Sequence, residues 1–90
     1  MANTKSALKR LRSAERRRLH NRVYRGRART AVRKARQLIE MGQIEEAREA
    51  VQAANRSLDK AAAKGIIHKN NASRRKSRLM QQLSRAEKAA

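Results

Sequence analysis

The side chains in this sequence that are best suited to chemistry are arginines, and the chemistry they suit is the binding of anions. Residues 16–29, RRRLHNRVYRGRAR, hold seven arginines in fourteen positions and no acidic residue. A guanidinium group is planar and pairs with a phosphate through two parallel hydrogen bonds. Arginines on all sides of one segment repel one another. Phosphates on more than one side would relieve that repulsion, with the release of counterions as the driving force. We therefore expect this segment to contact nucleic acid.

Groups that could carry out catalysis are scarce. His20 and His68 are the only histidines, both have basic neighbours, and the chain has no cysteine. Neither a Ser-His-Asp pattern nor a glycine-rich phosphate loop occurs. Glu45, Glu46 and Glu49 could bind a cation, but a solvated helix face explains them better. We expect no enzyme activity, no metal site, no cofactor and no dedicated small-molecule substrate.

The overall charge limits the class of partner. The 90 residues include 25 Lys and Arg against 7 Asp and Glu, which gives a formal net charge of +18 at pH 7. Such a charge attracts polyanions, so the candidates are nucleic acid, an anionic membrane surface or an acidic protein. Residues 5–27 lack the bulky apolar face of a membrane-surface helix. Neither a secretory signal nor a membrane-spanning stretch is visible, so we expect a soluble, cytoplasmic protein without a membrane partner.

Three helices are predicted to position the basic residues. Proline is absent, and Gly42 and Gly65 each follow a helical pattern at a point where a left-handed residue could end the helix. These breaks predict helices over about residues 4–41, 44–64 and 67–87, in an all-α three-helix bundle that forms a single domain over residues 1–90. At about 1.5 Å per residue, the first helix is nearly 60 Å long and projects beyond the other two, which are about 30 Å long. The sequence leaves open whether residues 1–25 become ordered only when RNA is bound.

Apolar residues at helical spacing predict the core and leave the beginning of the first helix outside it. The residues expected to face the core are Ala28, Ala31, Val32, Ala35, Leu38 and Ile39 in the first helix, Ile44, Ala47, Val51, Ala54, Leu58 and Ala61 in the second, and Ile67, Leu79, Leu83 and Ala86 in the third. Before residue 28, basic residues point in nearly every direction. Residues 41–63 hold 3 basic and 4 acidic residues, so the middle helix is expected to face solvent while the other two present the charge.

Several single residues have two interpretations. Tyr24, the only aromatic residue, could stack on a base or pack against the adjacent helix. Gly26 costs about 1 kcal/mol inside a helix, so it could allow a phosphate to approach the backbone or mark a kink. His20 could contact RNA or be an exposed bystander. His68 and Asn70 lie near the start of the third helix, where backbone N–H groups favour anions.

Three stretches carry a resemblance to a known family. MANTKSALKR at the N-terminus, RRLHN at 17–21 and AAAKGIIHKNNASRRKSRL at 61–79 resemble the bacterial ribosomal protein S-twenty family of the small subunit. The resemblance covers nearly the whole chain, and its most specific part is the order of residues from Lys64 to Leu79. It implies a three-helix bundle with an extended first helix. It also implies a structural constituent of the small ribosomal subunit that binds 16S ribosomal RNA directly through phosphate and shape contacts and stabilises its fold during assembly. The partners implied are this RNA and other small-subunit components, with the chain a monomer within the ribosome.

The resemblance and the charge together predict the residues that bind RNA. Asn3, Lys5, Ser6, Lys9 and Arg10 match the N-terminal motif of the family, whereas VYRGRAR departs from its pattern, so that Arg27 is included on charge and geometry alone. The full predicted set is Lys5, Lys9, Arg10, Arg12, Arg16, Arg17, Arg18, His20, Asn21, Arg22, Arg25, Arg27, Arg29, His68, Lys69, Asn70, Arg74, Arg75, Lys76, Ser77 and Arg78.

A second hypothesis comes from another class of protein. A nucleoid-type protein that compacts DNA without sequence specificity would also be small, basic and helical. It predicts comparable affinity for duplex DNA and structured RNA, and association of protomers through the alanine-rich seam.

Overall fold

The structure is a computed structural model that describes residues 4–90, and within that range it contains three helices and no strand. Helix α1 is Lys5–Glu40, α2 is Ile44–Ala63 and α3 is Lys69–Ala89. The all-α prediction is confirmed. Asn3, which the sequence comparison assigned to the N-terminal motif, lies outside the described residues.

The ends of the helices have identifiable caps. The hydroxyl oxygen of Thr4 accepts a hydrogen bond from the backbone N–H of Ala7 at 3.3 Å, which satisfies one of the free donors at the start of α1. Gly42 and Gly65 have φ angles of 76° and 72°, and each lies one position beyond a helix C-cap. The backbone N–H groups of Gly65 and Ile66 donate to the carbonyls of Ala62 and Ala61, as in a Schellman motif.

Helix α3 begins later than expected, at Lys69 rather than at 67, and ends at Ala89 rather than at 87. The physical reason for the late start lies in the turn before it. Ile66 is buried beneath the turn, and His68 has an extended backbone with a φ angle of −71° and a ψ angle of 143°. The Nδ1 atom of His68 accepts a hydrogen bond from the backbone N–H of Asn70 at 3.1 Å, so His68 caps α3 and is not part of it.

The core is small, and alanine is its commonest residue. The predicted stripes of α1 and α2 are confirmed, and Ile66 and Ala72 join them as buried residues that the periodicity did not indicate. The main cluster consists of Ala28, Val32, Ala35, Val51, Ala54, Leu58, Ala72 and Leu79. Alanine allows helices to approach closely, because its side chain adds little to the distance between their axes.

The expectation that the middle helix faces solvent is correct for only one of its faces. Glu45, Glu46 and Glu49 are exposed, but the opposite face of α2 has more buried residues than either of the other helices. Helix α2 packs against both α1 and α3, and it is therefore the central element of the bundle.

The first part of α1 projects from this bundle, as its length predicts. The molecule measures 65 × 21 × 14 Å along its principal axes. Helix α1 has no buried residue before Ala28. At about 100° per residue, Leu8 and Leu19 lie on the side of α1 opposite to Ala28 and Ala35, so they cannot extend the core, and both are exposed. Among the described residues, no helix is both long enough and apolar enough to cross a membrane.

Candidate nucleic-acid interface

Residues 5–23 of α1, called the projecting half from here on, present positive charge in all directions. At about 100° per residue, Arg10 and Arg17 lie on the side of the helix that faces the core farther along, whereas Arg12 and Arg22 lie on the opposite side. The acidic residue within this segment is Glu15. Over residues 4–90, the ion pairs are Arg48–Glu87 and Lys76–Asp59, neither of which involves the projecting half. Its cations therefore have no ion-pair partner among residues 4–90.

Two shallow concave surfaces lie on different sides of α1. One is formed by Ser13, Arg16, Arg17 and His20, and this places His20 between two predicted RNA-binding arginines. The other is lined by Glu15, Arg18, Leu19, Arg22, Arg25, Gly26 and Arg29. Helix α1 is continuous through Gly26, and a Cβ atom added there would meet nothing within 4 Å. Gly26 is therefore not required by the packing of the protein, and the backbone there is open to a ligand.

A third surface is the groove between α1 and α3, which brings together basic residues that are distant in the sequence. Its lining is Arg29, Val32, Arg33, Arg36, Gln37, Glu40, Arg75 and Arg78. The predicted set contains Arg29, Arg75 and Arg78, but Arg33 and Arg36 were missed. Their spacing was the available signal, because residues four and seven positions after Arg29 lie on the same face of a helix.

All of the predicted RNA-binding residues lie at the surface. Asn21 and Lys76 are half-buried, and the other members of the set are exposed. Three of them also make polar contacts within the protein. His68 caps α3 through its ring, as described above. The Nζ atom of Lys76 lies 2.7 Å from Oδ1 of Asp59 in α2, and Nη2 of Arg25 donates a hydrogen bond to the carbonyl oxygen of Ile66 at 3.3 Å.

Tyr24 lies in the middle of α1 and is half-buried, in contact with three polar side chains. The ring of His20 meets it edge-on, with ring centroids 4.9 Å apart and an interplanar angle of 67°. The Cζ atom of Arg27 lies 5.5 Å from the centroid of the tyrosine ring. The Nζ atom of Lys64, the C-cap residue of α2, lies 4.9 Å from the same centroid. Of the two interpretations of Tyr24, packing against a neighbouring helix is the one that the structure supports.

The described residues contain no group of three His, Asp or Glu side chains that could hold a metal ion. The buried positions in the same range include no polar or charged residue. What the site offers chemically is a set of exposed guanidinium and ammonium groups, which donate hydrogen bonds and accept none. Such an arrangement can bind anions over an extended area.

The fold and this surface define a small, strongly basic three-helix protein with a projecting cationic helix. The family model described as "Ribosomal protein S20" matches residues 2–84. The chain is 56% identical over 89 residues to the small ribosomal subunit protein bS20 of Thermomicrobium roseum, covering 99% of this chain and 90% of that protein. It is 52% identical over 84 residues to bS20 of Geobacillus kaustophilus, covering 93% of this chain and 94% of that protein. It is also 52% identical over 90 residues to bS20 of a Roseiflexus species, covering 100% and 98%.

The chain belongs to the ribosomal protein S20 family. The resemblance seen in the three sequence stretches is thereby confirmed.

Proposed function

We propose that this chain is a structural component of the bacterial small ribosomal subunit and that it binds 16S ribosomal RNA directly. The observation that carries the proposal is the projecting half of α1, where exposed arginines surround the helix axis without an ion pair among the described residues. A surface of this kind is suited to phosphates on several sides at once. We propose ribosomal RNA as the ligand because the chain belongs to a family of small-subunit ribosomal proteins.

In this proposal the arginines act through phosphate contacts and the shape of the RNA, with little reading of bases. The major groove of an RNA helix is deep and narrow, so side chains reach the backbone more readily than the base edges. Cations between RNA segments lower their mutual repulsion, and each neutralised phosphate releases counterions. The predicted RNA-binding residues and the groove residues Arg33 and Arg36 would together form the contact surface.

The role is stabilising rather than catalytic. The chain would act as a monomeric single domain that stabilises the RNA fold during assembly, alongside other small-subunit components and in the cytoplasm where ribosomes work. We infer that it is not an enzyme and needs no cofactor, because the groups it exposes in quantity are guanidinium and ammonium groups, which donate hydrogen bonds and are suited to binding anions.

Competition binding tests the proposal. Fragments of 16S ribosomal RNA compete with DNA duplexes of equal length for the full chain, at about 150 mM salt, where purely nonspecific binding is weak. We expect one fragment to bind about a hundredfold more tightly than DNA, since specific sites exceed nonspecific ones by at least that factor. Equal affinity for every RNA and DNA would refute the proposal and favour a DNA-compacting protein.

Hydrogen exchange tests whether the projecting half becomes more ordered when RNA binds. The projecting half buries no residue, and a helix without tertiary packing is only marginally stable in water. We expect amides of residues 5–23 to exchange faster than those of residues 47–61 in the free protein, and to become protected when the RNA fragment binds. Fast exchange of residues 5–23 in the complex as well would contradict their direct contact with RNA.

A further inference from the structure

Tyr24 occupies the point where the projecting half of α1 meets the bundle. It lies one helical turn before Ala28, the first buried residue of α1. The Cζ atom of Arg27 in α1 and the Nζ atom of Lys64, the C-cap residue of α2, both lie within 5.5 Å of the centroid of its ring. The two cations come from elements that are far apart in the sequence. Because both lie that close to one centroid, their charges cannot be farther apart than twice that distance.

Arg27 and Lys64 carry like charges, which repel one another. A cation within about 6 Å of an aromatic centroid is attracted by the electron-rich face of the ring. Neither Arg27 nor Lys64 takes part in either of the ion pairs found over residues 4–90. The ring therefore offsets part of their mutual repulsion but leaves both positive charges available to an anion.

The backbone that carries Lys64 is itself fixed against α1. Nη2 of Arg25 donates a hydrogen bond to the carbonyl oxygen of Ile66 at 3.3 Å. Gly65, which lies between Lys64 and Ile66, belongs to the Schellman motif that ends α2, and Ile66 is buried. Consecutive residues of α1, Tyr24 and Arg25, thus contact Lys64 and Ile66 of the same turn, so the fold holds the backbone at Lys64 close to α1.

We propose that Arg27 and Lys64 form a two-cation site for a phosphodiester group of RNA, and that Tyr24 is the residue that positions them. The inference rests on the proposed function and adds to it a specific site. The ligand of this site is a phosphate of the RNA backbone, because Arg27 and Lys64 are both hydrogen-bond donors with a full positive charge. Tyr24 acts through the two cations and does not stack on a base.

The test compares Tyr24→Leu, which removes the ring, with Tyr24→Phe, which keeps the ring and removes the hydroxyl group. With the 16S fragment that the wild-type chain prefers, we expect Tyr24→Leu to bind about fivefold more weakly. We expect its plot of log affinity against log salt to be shallower by about one unit. Tyr24→Phe should match the wild type in both. A purely structural role would lower thermal stability without changing the salt dependence.

If the Tyr24→Leu variant is less stable than the wild type, a double-mutant cycle of RNA binding still tests the proposal. Lys64→Gln should weaken binding about fivefold in the wild-type background and less than about twofold in the Tyr24→Leu background. Lys88→Gln, which removes one exposed charge from the last turn of α3, is the matched control. It should have the same small effect in both backgrounds.

Three outcomes would overturn the site. They are equal binding of Tyr24→Leu and the wild type, equal weakening by Tyr24→Phe and Tyr24→Leu, or additive effects of Tyr24→Leu and Lys64→Gln. Each of these leaves tight binding of the wild-type chain to its RNA fragment intact. A wild-type chain that shows no preference for RNA would instead count against the proposed function.

Discussion

Helix α1 contains two regions that differ in what holds them in place. From Ala28 onward, alanine and valine are buried against α2, and the helix is part of a packed core. In residues 5–23 nothing is buried, and the surface is dominated by arginine. The projecting half therefore contributes charge but no core residue, whereas the part from Ala28 onward contributes core residues and, through Arg29, Arg33 and Arg36, one side of the groove. Substitutions in residues 5–23 should leave the free energy of unfolding nearly unchanged.

The largest effect is expected from a leucine in the bundle. Leu58→Ala removes a side chain that is 0% exposed at the centre of the core, and should lower the free energy of unfolding by about 2–5 kcal/mol. Leu19→Ala, at a side chain that is 62% exposed, is the matched control and should change it by about 0.5 kcal/mol or less. Urea denaturation followed by circular dichroism measures both. Similar losses from the two variants would remove the distinction between the regions.

The next largest effect is a loss of RNA affinity caused by substitutions in the projecting half. Replacing Arg16, Arg17 and Arg18 together by Ala should weaken binding to the preferred 16S fragment by about a hundredfold, and reduce the salt slope by about three units. The free energy of unfolding should not fall, because no buried contact is lost and Ala favours helix.

The matched control removes the same charge from elsewhere. Arg56, Lys60 and Lys88 are exposed cations of α2 and α3, and their joint replacement by Ala should weaken binding much less. If the two triple variants bind RNA equally, total charge rather than the projecting half determines affinity.

The smallest effects come from the same substitution at two glycines. Gly65 has a φ angle of 72°, so Gly65→Ala should lower the free energy of unfolding by about 1–2 kcal/mol. Gly26 is a helix-interior residue with open space around it, so Gly26→Ala should raise helix stability by about 0.5–1 kcal/mol. Thermal unfolding followed by circular dichroism measures both changes. A stabilised Gly26→Ala variant that binds RNA more weakly would show that a phosphate approaches the backbone there.

The bundle could be predicted from the sequence because its signals are local. The alanine stripes repeat at helical spacing, and Gly42 and Gly65 mark the ends of two helices wherever the rest of the chain lies. The start of α3 was predicted too early because Ile67 continues an apolar stripe. The cap that His68 supplies depends on a side-chain orientation that no spacing reveals.

The candidate site could be predicted only in outline. The density of arginine indicates the projecting half, but it does not show which cations face one another. The spacing of Arg33 and Arg36 from Arg29 places all three on one face of α1, but only the fold shows that α3 brings Arg75 and Arg78 opposite them. The contact of Arg25 with Ile66 joins residues 41 positions apart, and the pairing of Tyr24 with Lys64 likewise requires the tertiary fold.

The length of α1 makes it a lever whose fulcrum is the bundle. Lys5 lies about 35 Å along the axis from Ala28, so a tilt of about 10° at Ala28 moves the far tip by about 6 Å. When RNA orders the projecting half, contacts near the fulcrum, such as that of Arg25 with Ile66, help to set the direction in which it leaves the bundle. The buried alanines from Ala28 onward and the turn at residues 64–66 therefore help to set the direction of the projecting half relative to the bundle.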